Sequence, residues 1–127
     1  MFDHISLKVK SAAASRKFYE RALGPLGFKV IDASESGAGF GAEDGSALWI
    51  SGGGAAAPAV HFAVAAAGRA GVDAFYKAAI DAGGRDNGTP GIRESYGPHY
   101  YAAFVLDPDG NNVEAVFNKP VTSGTGR

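Results

Sequence analysis

Displaced by 57 residues, the chain overlays chemically matched side chains on one another: His4 on His61, Phe18 on Phe75, Tyr19 on Tyr76, Ala22 on Ala79, Leu23 on Ile80 and Gly27 on Gly84. Only three histidines occur among the 127 residues, so a His-on-His match accompanied by two aromatic matches points to an internal duplication. A duplication of this size constrains the fold strongly. Each half is too small to bury a sufficient core alone, so the two copies must share one, and there is no room for a third independent domain.

Both halves read in the same order. In the first, "DHISLKV" alternates, with Ile5, Leu7 and Val9 on one face and His4, Ser6 and Lys8 on the other. Ser11 is placed to cap a helix carrying Phe18, Tyr19, Ala22 and Leu23, which Gly24-Pro25 ends. Three short strands follow, "GFKVIDA", "GAGFGA" and "ALWIS", separated by turn residues. The second half repeats the pattern with "AVHFAVA", a helix over 72–82, and the strands "GGRDNGT", "YYAAFVL" and "NNVEAVF". The expected class is α+β: two tandem βαβββ modules over 1–51 and 58–118, joined by a glycine-rich linker at 52–57 and followed by a frayed tail at 119–127. Four strands per module, backed by one helix, would form a curved mixed sheet, and the two together a cup. Such a cleft is the default ligand site.

Composition narrows the function by exclusion. Twelve basic and 13 acidic residues, with no long run of either sign, lack the electrostatic footprint of a nucleic-acid binder. The most apolar tract, "AAAPAVHFAVAAAG", is mostly alanine and is broken by Pro58 and His61, short of a membrane span. The N-terminus enters strand sequence directly, which gives a cytoplasmic location as the default expectation. Cysteine is absent, so any metal must be held by His, Asp, Glu or water.

Strand phase selects the candidate ligands. His4, His61 and Glu114 each lie opposite the apolar positions of their strands, pointing away from the helix-packed face. If that side is concave, two imidazoles and one carboxylate converge, a set that suits one divalent metal such as Fe(II), Mn(II), Ni(II) or Zn(II) with open positions for substrate. The segment "GIRESYGPHYY", read as a loop over the cup, offers Arg93 to an anionic group, His99 and Tyr100 as proton donors or acceptors, and Tyr96 and Tyr101 as substrate contacts. Trp49 is either a cup-lining aromatic for a flat substrate or ordinary packing.

"DHISLKV", "FYERALGPLGFKV", "VHFAV" and above all "YYAAFVLDPDGNNVEAVF" resemble the vicinal oxygen chelate superfamily over residues 1 to 118. That superfamily includes glyoxalase I, fosfomycin-resistance thiol transferases, bleomycin-resistance proteins and extradiol dioxygenases. The resemblance implies paired βαβββ modules, usually in a homodimer, around a divalent metal held by residues matching His4, His61 and Glu114. It also carries a departure. Glyoxalase I-like members place a second carboxylate on the last strand of the first module, where this chain has Trp49. The expected activity is therefore that of a metal-dependent enzyme, a lyase or isomerase, dioxygenase or thiol transferase, acting on a small oxygenated or aromatic substrate. The alternative is a metal-free drug-binding protein of the bleomycin-resistance type.

Overall fold

The computed structural model describes residues 2–54 and 59–121; much of the expected linker and most of the expected tail lie outside them. The chain forms β1 (His4–Lys8), α1 (Ala12–Leu23), β2 (Lys29–Ser34), β3 (Gly37–Gly41) and β4 (Ala47–Ser51), then β5 (His61–Ala65), α2 (Arg69–Asp81), β6 (Arg85–Ile92), β7 (Tyr100–Leu106) and β8 (Asn112–Asn118). The duplication is therefore a duplication of βαβββ. One four-stranded sheet has the order β1-β4-β3-β2 and the other β5-β8-β7-β6. In each, the first and last strands of the module run parallel while the remaining pairs are antiparallel, so both sheets are mixed. Among the described residues no strand of one sheet pairs with a strand of the other.

Local sequence explains the elements. Ser11 caps α1 by accepting from the Ala14 amide at 3.1 Å. A short 3-10 turn over Gly24–Leu26 then brings the chain to Gly27, whose φ of 93° closes it in the left-handed region. The second module makes the same turn one residue earlier, at Gly83, with φ of 100°. Gly84, the repeat partner of Gly27, serves another purpose: a Cβ there would lie 2.6 Å from Phe18 and 2.5 Å from Val105. α2 starts a turn before the expected Val72, at Arg69, behind an extended Gly68. The strand β6 runs through Pro90 to Ile92, into sequence expected to be loop. Two register shifts accommodate the proline, and β6 lies at the sheet edge, where a missing N–H is tolerated.

The two helices pack on each other and each covers one face of its own sheet. Phe18, Tyr19, Leu23, Phe40, Leu48 and Ile50 of the first module join Val72, Phe75, Val105, Val113 and Phe117 of the second in a single buried cluster. The shared core expected from the duplication is present. Tyr19 sits at its centre, edge-on to Phe18, and between Phe40 of one module and Phe62 of the other. Its hydroxyl donates to Asp107 Oδ2 at 2.5 Å, and burial, reinforced by that carboxylate, raises its pKa well above the ordinary tyrosine value.

Candidate functional site

"DPDGN" has a structural duty. Asp107, 2% exposed, accepts from the amides of Asp109 and Asn111 on Oδ1 and from Tyr19 and the Asn111 side chain on Oδ2. Asn111 Oδ1 in turn accepts from the Val60 amide at 2.9 Å, one residue before His61. The turn is thereby tied to α1 of the first module and to the start of β5, and it fixes where β8 lies against β5. The resulting register sets Ala63 beside Glu114 and His61 beside Asn112.

Glu114 is 2% exposed, yet it lies on the face of β8 opposite the helix. His61 Nε2 is 2.8 Å from its Oε1, and the Tyr100 hydroxyl donates to its Oε2. Burial first, and then the Glu114 hydrogen bond, pushes the Tyr100 pKa up to about 12, so this phenol keeps its proton throughout the neutral range. Phe104 pairs directly with Glu114 across the ladder, and its ring centre lies 6.1 Å from that of His61. The Arg93 guanidinium carbon sits 5.3 Å from the Phe104 centre, and Tyr96 meets Tyr100 edge-on at 5.2 Å. One sheet face therefore gathers Arg93, Phe104, His61, Glu114, Tyr100 and Tyr96. Phe104 was not singled out in the sequence, although Tyr100, Ala102 and Phe104 follow the alternation that puts them on one face.

Other expected residues go elsewhere. Tyr101 is corrected to the opposite face, where its hydroxyl donates to Asp73 at 2.6 Å and the Arg69 guanidinium lies over its ring. The reason is strand alternation: β7 begins at Tyr100, so its neighbour must point toward α2. His99 lies in the turn preceding β7, and the group that reaches Glu114 is the Tyr100 hydroxyl. Trp49 occupies the outer face of the first sheet, 36% exposed, its six-membered ring lying over Gly39. The ladder registers confirm its relation to Glu114: His4 pairs with Ala47 two residues before Trp49, as His61 pairs with Asn112 two residues before Glu114.

His4 shares the outer face of the first sheet, with its side chain 54% exposed and Nδ1 2.9 Å from the Asp3 carboxylate. Among the described residues no three His, Asp or Glu side chains gather closely enough to hold an ion. The donor chemistry fits a metal in part. His61 Nε2 and Glu114 Oε1 stand 2.8 Å apart, while neighbouring ligands on an ion with bonds of about 2.1 Å stand about 3 Å apart. Two donors on one chain make a pair and leave the third candidate ligand, His4, on the other sheet.

The family model for the Glyoxalase/Bleomycin resistance protein/Dioxygenase superfamily matches residues 1–115. Among solved structures, a glyoxalase/bleomycin resistance protein from Albidiferax ferrireducens T118 is 30% identical, with 94% of this chain and 99% of that one covered at a TM-score of 0.77. A glyoxalase-related enzyme from Fulvimarina pelagi shares 20% identity over 97% and 93% of the two chains, TM-score 0.72. A lactoylglutathione lyase from Agrobacterium tumefaciens shares 19% over 91% and 92%, TM-score 0.67. No curated protein sequence matches the chain. Among the described residues no helix is long and apolar enough to cross a membrane.

Proposed function

Because the chain belongs to the Glyoxalase/Bleomycin resistance protein/Dioxygenase superfamily, we propose that it is a cytoplasmic, divalent-metal-dependent enzyme acting on a small oxygenated or aromatic substrate. His61 and Glu114 supply two ligands, and His4 of a second copy in a homodimer supplies the third. The observation that carries this reading is the near-complete burial of Glu114 beside His61 on a face turned away from the core.

His4 and His61 hold the same register positions in the two modules, so each is the natural complement of the other half-site. A two-fold dimer would then contain two equal sites. When bound, the ion would polarise the oxygens of a chelated substrate. The chain's own groups do the rest. Tyr100 holds Glu114 by one oxygen and leaves the other turned to His61. The same phenol keeps its proton at neutral pH and so remains a donor to Glu114. Asp3 engages His4 Nδ1 and leaves Nε2 open for coordination. A reaction that needs a second carboxylate base at the Trp49 position lies outside this set, which favours the chemistries served by one carboxylate.

Equilibrium dialysis against Mn(II), Ni(II), Zn(II) and Fe(II) tests the reading. The expected result is one tightly held ion per chain, lost in Glu114→Ala and in His61→Ala; a chain that retains none of the four ions contradicts it. The second reading, a metal-free binder of small drug-like molecules, is favoured by one observation. Both Glu114 oxygens already have hydrogen-bond partners, so its charge is compensated without an ion. A ligand-induced thermal shift of equal size with and without chelator would select that reading.

A further inference from the structure

Arg93 is held in an unusual way for a cation. Its Nη2 donates to the Thr89 carbonyl at 2.7 Å and its Nη1 to the Gly91 carbonyl at 3.0 Å, so the side chain folds back along β6 instead of extending into water. The strand has been cleared for it. A Cβ at Gly88 would lie 3.0 Å from Nη2 and one at Gly91 would lie 3.3 Å from Nη1. Thr89 falls within the register shift between Gly88 and Gly91, outside the paired positions of the β7 ladder, and the Phe104 ring forms the floor.

Half-buried and immobilised, this guanidinium pairs with no carboxylate among the described residues. Its two carbonyl partners are neutral, and a guanidinium presents five donors, so donors and positive charge remain for an incoming group. Phe104 lies between it and the His61–Glu114 pair in the sheet order β5-β8-β7-β6: its strand adjoins β6, along which Arg93 folds, and it pairs with Glu114 on the other side. The order along the face is cation, flat apolar surface, then oxygen-binding pair.

We propose that Arg93 is an anion anchor and that the site takes a small organic carboxylate: the acid group on Arg93, a flat apolar body across Phe104, and an oxygen at the far end on the His61–Glu114 pair. This deepens the enzyme reading above by naming its substrate class. The anchor itself needs no metal, so the two can fail separately. A structural role for Arg93, satisfying the carbonyls of a bulged edge strand, would show in stability and leave ligand charge unread.

Titration calorimetry with 4-hydroxybenzoate and its neutral isostere 4-hydroxybenzamide, on metal-loaded and on chelator-treated protein, separates these outcomes. The acid should bind wild-type protein about tenfold or more tightly than the amide, in line with one charge-assisted bidentate contact. The preference should weaken with added salt. In Arg93→Gln the two probes should bind alike. Where Arg93→Gln fails to fold, the acid-to-amide ratio and its salt dependence on wild-type protein decide the matter alone. Equal binding of the two probes, an acid preference that survives Arg93→Gln, or no acid binding up to about 10 mM overturns the proposal. Loss of any difference between metal-loaded and stripped protein, with the Arg93-dependent preference intact, counts against the metal reading only.

Discussion

Tyr19→Phe removes one hydroxyl from the centre of the molecule and leaves the ring between Phe40 and Phe62 in place. The loss is a 2.5 Å hydrogen bond to a carboxylate that is 2% exposed. Asp107 Oδ2 keeps the Asn111 side chain and Oδ1 keeps two amides, so the carboxylate is weakened without being orphaned. One charge-assisted bond of this kind contributes about 2 kcal/mol. In a domain of this size that is a fall in Tm of about 6–10 °C. Asp107→Ala strands all four donors and should cost about 4 kcal/mol. The double variant should be no worse than Asp107→Ala alone, because the tyrosine hydroxyl then has nothing left to lose, giving a coupling of about 2 kcal/mol. Urea unfolding followed by far-UV circular dichroism and by the fluorescence of Trp49, the single tryptophan, should show one transition in every case. A cost for Tyr19→Phe below about 0.5 kcal/mol, or additive effects in the double variant, would refute the view that this contact ties the "DPDGN" turn to the first module.

Further expectations concern backbone, solvent and pH. Gly84→Ala places a Cβ 2.8 Å from the Ala79 carbonyl as well as against Phe18 and Val105, and should cost about 2–3 kcal/mol in urea unfolding. Gly83→Ala meets no atom of the described residues within 4 Å and should cost only about 1 kcal/mol for its left-handed φ; equal costs at the two glycines would contradict the separate roles assigned to them. Gly39→Ala drives a methyl into the six-membered ring of Trp49, 2.4 Å from its nearest atom, so the indole should swing into water and its emission should move to longer wavelength. Unchanged emission would mean that the ring does not rest on that glycine. Burial raises both Tyr19 and Tyr100, the latter to about 12, from an unfolded value of 10.0. The folded state holds these protons more tightly, so their contribution to stability is fully present below pH 10 and is lost as pH rises through each folded value, about 12 for Tyr100. Phenolate absorbance during alkaline titration should show both tyrosines ionising later than in the unfolded chain.

The fold was legible because the duplication and the period-two alternation are properties of the chain itself. Ile5, Leu7 and Val9 face the core as their spacing predicts, and His4, His61 and Glu114 face away. Misreadings arose where local rules compete. The sequence predicts a loop starting at Gly91, while a strand with register shifts carries β6 on through Pro90 to Ile92. Tyr100 and Tyr101 look equivalent as neighbours, but the first residue of β7 and the second point to opposite sides. The partners of Glu114 could be named only in part. His61 lies on the adjoining strand and was accessible from the repeat, whereas Tyr100 reaches it across β7 and β8 through a register that the sequence does not print. What strand phase leaves unspecified is how two modules sit relative to each other. Here α1 and α2 pack together in one core, and His4 stays on its own sheet, beside Asp3.

That separation makes one measurement decisive. His4→Ala and His61→Ala should each fail to hold a metal ion as homodimers. Unfolded together in equal amounts and refolded, half of the dimers carry both variants, and in each of these one of the two sites has an unaltered His4 facing an unaltered His61 and Glu114. The mixture should therefore recover about a quarter of the wild-type metal content, measured by elemental analysis of the purified dimer. No recovery on mixing, with wild-type protein holding one ion per chain, would show that His4 plays no part across a dimer and would contradict the account.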